Sequence, residues 1–114
     1  MLSMTKDRVY LKHILDAISD IEQFTLGISQ EDFFNNREKQ YAVLRALEII
    51  GEATKNLSSQ LKTEYSDVNW KKIAGMRDKL IHAYFGVNLP LVWETVKTDL
   101  PQLKKQTLLP LKGL

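Results

Sequence analysis

The sequence predicts an all-α fold, an antiparallel up-and-down bundle of four long helices plus one short helix. Three observations lead there. Apolar residues recur at i, i+3, i+4 and i+7 along most of the chain, no segment alternates with period two, and the connections are short and rich in capping residues. The 114 residues make one domain, 1–114, large enough to bury a single core.

The first helix spans Lys6 to about Leu26, with Thr5 as N-cap and Gly27 as C-terminal cap. Its stripe is Leu11, Ile14, Leu15, Ile18, Ile21 and Thr25; His13 lies beside it with no acidic or histidine partner at i±4 and reads as a rim residue. Ser29 to Asp32 has the form of a capping box and starts a short helix through Phe34, whose two phenylalanines plug the gap between long helices. Asn35 or Asn36 caps the longest helix, running to about Leu61 on the stripe Val43, Leu44, Leu47, Ile50, Gly51, Thr54, Leu57 and Leu61. Gly51 costs about 1 kcal/mol relative to alanine inside a helix, so it marks a close helix–helix contact. Arg45, Glu48 and Glu52 stand in one row there, either as surface pairs or with Glu48 or Glu52 reaching toward Arg77.

A third long helix is expected from Trp70 to Tyr84, capped by Asp67 or Asn69. Pro90 then sits in the first turn of the last helix, with the face Leu89, Val92, Trp93, Val96, Leu100 and Leu103, and Pro101 kinks or splits it. The tail after Pro110 is expected to fray, making 110–114 the loose end of the domain.

Composition narrows the classes. Hydrophobic residues at 44% and charged residues at 26% are ordinary for a globular protein. The absence of cysteine removes disulfides and thiolate metal sites, and suggests a reducing cytoplasm. No apolar run approaches the length of a membrane span, and no signal peptide is read at the N-terminus. A net charge of +2 does not by itself announce nucleic acid. Locally, Lys71, Lys72, Arg77 and Lys79 against Asp78 leave +3, four positive charges minus one.

The third long helix carries the chemistry. Read as a regular helix it puts Arg77 in the middle of the apolar stripe Trp70, Ile73, Ala74, Leu80, Ile81 and Tyr84. A buried guanidinium costs several kcal/mol unless partnered. His82 and Tyr84 complete the pattern R-x4-H-x-Y. On a helix His82 lies about 140° from Arg77 and about 40° from Asp78, so Asp78 can orient the imidazole. Arg77 and His82 then converge only if the helix end distorts or a second chain brings its own copy opposite; a symmetric homodimer is the simpler solution. A histidine for proton transfer and an arginine for phosphate charge suit RNA cleavage by the substrate's own 2′-hydroxyl. No metal ligand set and no nucleophile elbow is evident, so no metal and no cofactor is expected. The plain alternative is an arginine paired internally and a histidine capping a helix end.

The run IAGMRDKLIHAYFGVN, with LRALEIIGEATKNLS before it and VWETVKTDLPQLKKQ after it, resembles the HEPN superfamily, in particular the HepT-like toxins of MNT/HEPN toxin–antitoxin pairs. The resemblance extends from about Tyr10 to Leu108. It implies a dimeric all-α bundle and a metal-independent endoribonuclease (RNase) that acts as a toxin on RNA, with Arg77 and His82 catalytic and Asp78 supporting. It further implies a minimal nucleotidyltransferase partner, the antitoxin, that silences the toxin by AMPylation of Tyr84. A non-catalytic helical module that binds nucleotide or the nucleotidyltransferase is the alternative within the same superfamily.

Overall fold

A computed structural model describes the backbone of residues 2–82 and 86–114, and side chains for 6–80 and 86–114. The described chain is mostly helical. α1 (Leu2–Phe24) lies antiparallel to α3 (Arg37–Lys55), as two contacts fix: Lys39 Nζ donates to the Phe24 carbonyl at 2.8 Å, and at the other end Asp7 accepts from the backbone N–H and hydroxyl of Ser58. α2 (Gln30–Phe34) fills the connection. Its Ser29–Asp32 capping box is formed in both directions, as expected. The Ser29 N–H, and then its hydroxyl, hold the Asp32 carboxyl below its usual value. That cap is therefore complete above the ordinary carboxylate range and is lost as pH falls through the lowered folded value. Phe33 is wholly buried, with its ring 5.4 Å from that of Trp93.

Every residue of the expected α3 stripe is buried, through Leu57 and Leu61. The helix itself stops earlier than Leu61. Ser58 caps a separate α4 (Ser59–Glu64), and Asp7 holds that cap from α1. A side chain 51 positions away thus breaks a helix that periodicity alone extends. Asn36, not Asn35, caps α3, and Asn69, not Asp67, caps α5.

The largest correction concerns the expected helix from Trp70 to Tyr84. It is two five-residue helices, α5 (Trp70–Ala74) and α6 (Met76–Leu80), with Gly75 capping the first. After Leu80 the backbone forms a two-residue antiparallel ladder, β1 (Ile81–His82) with β2 (Gly86–Val87). β-branched Ile81 and Val87 pair there, Gly86 takes a φ of 82°, and Asn88 N–H closes the hairpin on the Leu80 carbonyl at 3.0 Å. The four-long-helix bundle is thus three long helical stretches with shorter pieces in place of the third.

The final stretch is α7 (Leu89–Glu94), a π-type turn (Thr95–Asp99) and α8 (Leu100–Gly113), continuous in helical φ and ψ. Pro101, expected to kink or split the helix, follows that widened turn, which accommodates the ring and the missing N–H. The tail expected to fray after Pro110 is helical to Gly113. Pro110 is buried, Leu111 and Leu114 pack on the core, and the Tyr65 hydroxyl lies against Gly113.

Gly51 is the contact that positions the site. A Cβ built there would stand 3.2 Å from the Ala74 carbonyl oxygen, so α5 crosses α3 backbone to backbone. Gly51→Leu is expected to lower stability by about 1–3 kcal/mol through overpacking against a backbone that cannot swing away. Urea titration followed by circular dichroism measures it; an unchanged midpoint would show that α5 is free to move off.

Candidate active site

α5 and α6 run antiparallel to α3 across that glycine. On one side of the crossing Arg77 meets Glu48; on the other, Lys55 and Lys71 share the rim of one cleft. The Arg77 Nε lies 3.6 Å from Glu48 and its Nη1 3.6 Å from Asp78. Both distances exceed hydrogen-bonding range, so neither carboxylate occupies the guanidinium fork bidentately. Glu48 also faces Arg45 at 3.6 Å, whereas Glu52 pairs with Lys55 at 3.7 Å. The two sequence alternatives for Glu48, a surface pair with Arg45 or a partner for Arg77, are therefore both realised, and Glu52 is not a partner of Arg77.

Arg77 is not in the core. Its side chain is 49% exposed. The break at Gly75 resets the helical phase: Trp70 is buried from α5 and Leu80 from α6, and position 77 turns outward. The cost of a buried guanidinium is therefore not a reason for its presence. What replaces it is simpler. The fold does not use Arg77 for packing, and Glu48 and Asp78 flank it on the surface.

His82 lies in β1, opposite Gly86, and not on a helix with Arg77. The 140° separation therefore does not describe this chain: the helix end is distorted, and the His82 side chain lies outside the described residues. Tyr84 lies outside the described residues. Asp78 is exposed and contacts Arg77; the expected support of the imidazole falls on a His82 side chain outside the described residues.

Two clefts flank α5. One, of about 550 Å³, runs between α5–α6 and the last helix and has Lys72, Lys79, Glu94 and Asp99 at its rim over Met76 and Leu80. The other carries Lys55, Lys62 and Lys71. Arg77 lines neither; it stands on a ridge between a cleft of mixed charge, with Lys72 and Lys79 against Asp67, Glu94 and Asp99, and a basic one. Among the described residues, no three His, Cys, Asp or Glu side chains gather as a metal site would require, and no helix is long and apolar enough to cross a membrane.

Comparison with known proteins places this ridge in context. The family model described as ribonuclease HepT-like matches residues 14–108. A protein named probable ribonuclease HepT from Thermococcus cleftensis is 53% identical over 95 residues, 83% of this chain and 86% of its own length. A candidate RNase of Caldanaerobacter subterraneus subsp. tengcongensis is 50% identical over 103 residues, 90% and 92% of the two chains. A Methanocaldococcus jannaschii protein named for a gamma-glutamylcyclotransferase and a candidate RNase is 49% identical over 92% of this chain, which spans only 48% of that relative. No solved structure matches. With the family model covering the segment from α1 into α8, and two of these relatives near half identity over most of their own length, the chain belongs to the HepT-like ribonuclease family of the HEPN superfamily.

Proposed function

We propose that the protein is a metal-independent endoribonuclease and the toxin of a toxin–antitoxin pair. The observation that supports this most is Arg77 itself: a half-exposed arginine, unused by the core, tethered by Glu48 five residues before His82 in a ribonuclease-family segment. His82 takes the proton of the RNA 2′-hydroxyl. The 2′-oxygen attacks the adjacent phosphorus, the bond to the 5′-oxygen breaks, and that oxygen takes a proton from solvent while His82 gives its own back to water, so the products are a 2′,3′-cyclic phosphate and a 5′-hydroxyl end. Arg77 stabilises the extra negative charge on the pentacoordinate phosphorus. Asp78, beside Arg77, helps to set the guanidinium's position. Purified protein incubated with total RNA in excess chelator is expected to produce fragments, and His82→Ala is expected to leave the RNA whole. Intact RNA with the wild type, or cutting only after Mg²⁺ is added, would contradict the reading. Growth arrest on expression alone, lost in His82→Ala, separates this enzyme from a non-catalytic binding module.

Homodimerisation and control at Tyr84 belong to the same proposal and rest on the family resemblance. A phenol with a reference pKa near 10 is a poor general base at neutral pH, so Tyr84 suits a control role. AMP on Tyr84 would bring negative phosphate and bulk close to the catalytic pair. Tyr84→Phe is expected to keep cleavage within about tenfold, about 1.4 kcal/mol in barrier, yet to escape silencing by a nucleotidyltransferase with ATP. Silencing equal to wild type would move the control elsewhere.

A further inference from the structure

We infer that the exposed ridge of α3, Arg37–Tyr41–Arg45, is a stacking platform that carries single-stranded RNA toward Arg77. The inference rests on the ribonuclease reading and adds a substrate-binding surface to it.

At 3.6 residues per turn, positions 37, 41, 45 and 48 share one exposed face of α3. Tyr41 leaves 61% of its surface in solvent. A single exposed aromatic residue would mean little. This one is held. The Arg37 guanidinium donates to the Tyr41 hydroxyl at 2.8 Å and its carbon stands 5.7 Å from the ring centroid. The hydroxyl contact also raises the Arg37 pKa. One turn further along stands Arg45, its side chain 71% exposed, and next Glu48, which ties Arg45 and Arg77 together. Two of the carboxylates near this face are answered by cations, Glu48 by the two arginines and Glu52 by Lys55, and Glu38 lies at its edge.

Tyr41 to Glu48 is seven residues, about 10.5 Å along the helix. At about 3.4 Å per stacked nucleotide that is roughly three bases. A base stacked on Tyr41 therefore places the next phosphates beside Arg45 and then Arg77. An aromatic face interleaved with arginines is the pairing that sequence-tolerant single-strand binders use: the ring takes any base, and the guanidinium groups take the backbone. Duplex RNA offers no unstacked base to the ring and is not the ligand. A protein partner would also favour exposed Tyr and Arg, but the row's alignment on the phosphate-binding arginine favours RNA.

The test uses a fluorescein-labelled 12-nucleotide single-stranded RNA of mixed sequence, 2′-O-methylated so that it is bound without being cut. Tyr41→Ala is expected to weaken binding about tenfold, Tyr41→Trp to bind like wild type, and Arg37→Ala to lower affinity and flatten the salt dependence. A dinucleotide, too short to reach from Arg77 to the ring, should bind wild type and Tyr41→Ala alike. Helical circular dichroism should be unchanged in all variants, since these side chains are exposed. If wild type binds the 12-mer and Tyr41→Ala binds it equally, the platform is overturned and the ribonuclease reading stands. If wild type binds no RNA, both fall. If Tyr41→Ala leaves RNA binding intact but changes self-association in light scattering, the ridge is a protein interface and the inference is overturned.

Discussion

Replacing either member of the Arg77–His82 pair with alanine is expected to remove most ribonuclease activity while leaving the fold intact. For His82→Ala the loss of proton transfer alone is about 10²–10⁴-fold in rate. For Arg77→Ala the loss of charge stabilisation at phosphorus is of similar size, about 10²–10³-fold. The structural half of this expectation follows from the geometry. Arg77 is 49% exposed and its contacts with Glu48 and Asp78 are 3.6 Å surface pairs, worth well under about 1 kcal/mol after solvent screening. Thermal unfolding should therefore hardly move in Arg77→Ala. A variant that unfolds would show the arginine to be a structural strut; a stable variant with undiminished activity would remove it from the mechanism.

The second large effect lies in the substrate. If the nucleophile is the RNA's own 2′-hydroxyl, a single 2′-deoxy nucleotide on the 5′ side of the cut abolishes cleavage at that bond and spares every other bond. The protein then has no alternative nucleophile to offer, so the loss should reach the detection limit. Gel mapping of an end-labelled oligonucleotide, native and singly deoxy-substituted, reads the result. Continued cutting at the substituted bond would mean that an activated water attacks instead, and the roles given to His82 and Arg77 would have to be reassigned.

Much of the scaffold was legible because it is written in local rules. The α3 stripe from Val43 to Leu61, the reciprocal Ser29–Asp32 cap and the meaning of Gly51 each follow from spacing or from one residue's intrinsic cost, and each is present. What local rules missed has a common cause. The end of α3 is set by Asp7 from another helix, and the persistence of helix beyond Pro110 by burial against the core and by Tyr65. Neither partner is near in sequence. Position 77 failed for a different reason: one glycine at 75 interrupts the period, and every helical angle computed across it, from the apolar stripe to the spacing of Arg77 and His82, loses its basis. The choice of Arg77, His82 and Tyr84 does not rest on that phase; it rests on their chemistry and on the family pattern. Tyr41 went unread since the stripe rule looks inward; only exposure and the contact with Arg37 single it out.

The measurement that bears most directly on the mechanism is the chemistry of the new 3′ end, determined by mass spectrometry on a defined oligonucleotide cut in excess chelator. Transesterification by the 2′-hydroxyl predicts a 2′,3′-cyclic phosphate paired with a 5′-hydroxyl, formed at the same rate with and without added Mg²⁺. A 3′-hydroxyl with a 5′-phosphate, or cleavage that appears only when the metal is restored, would contradict it.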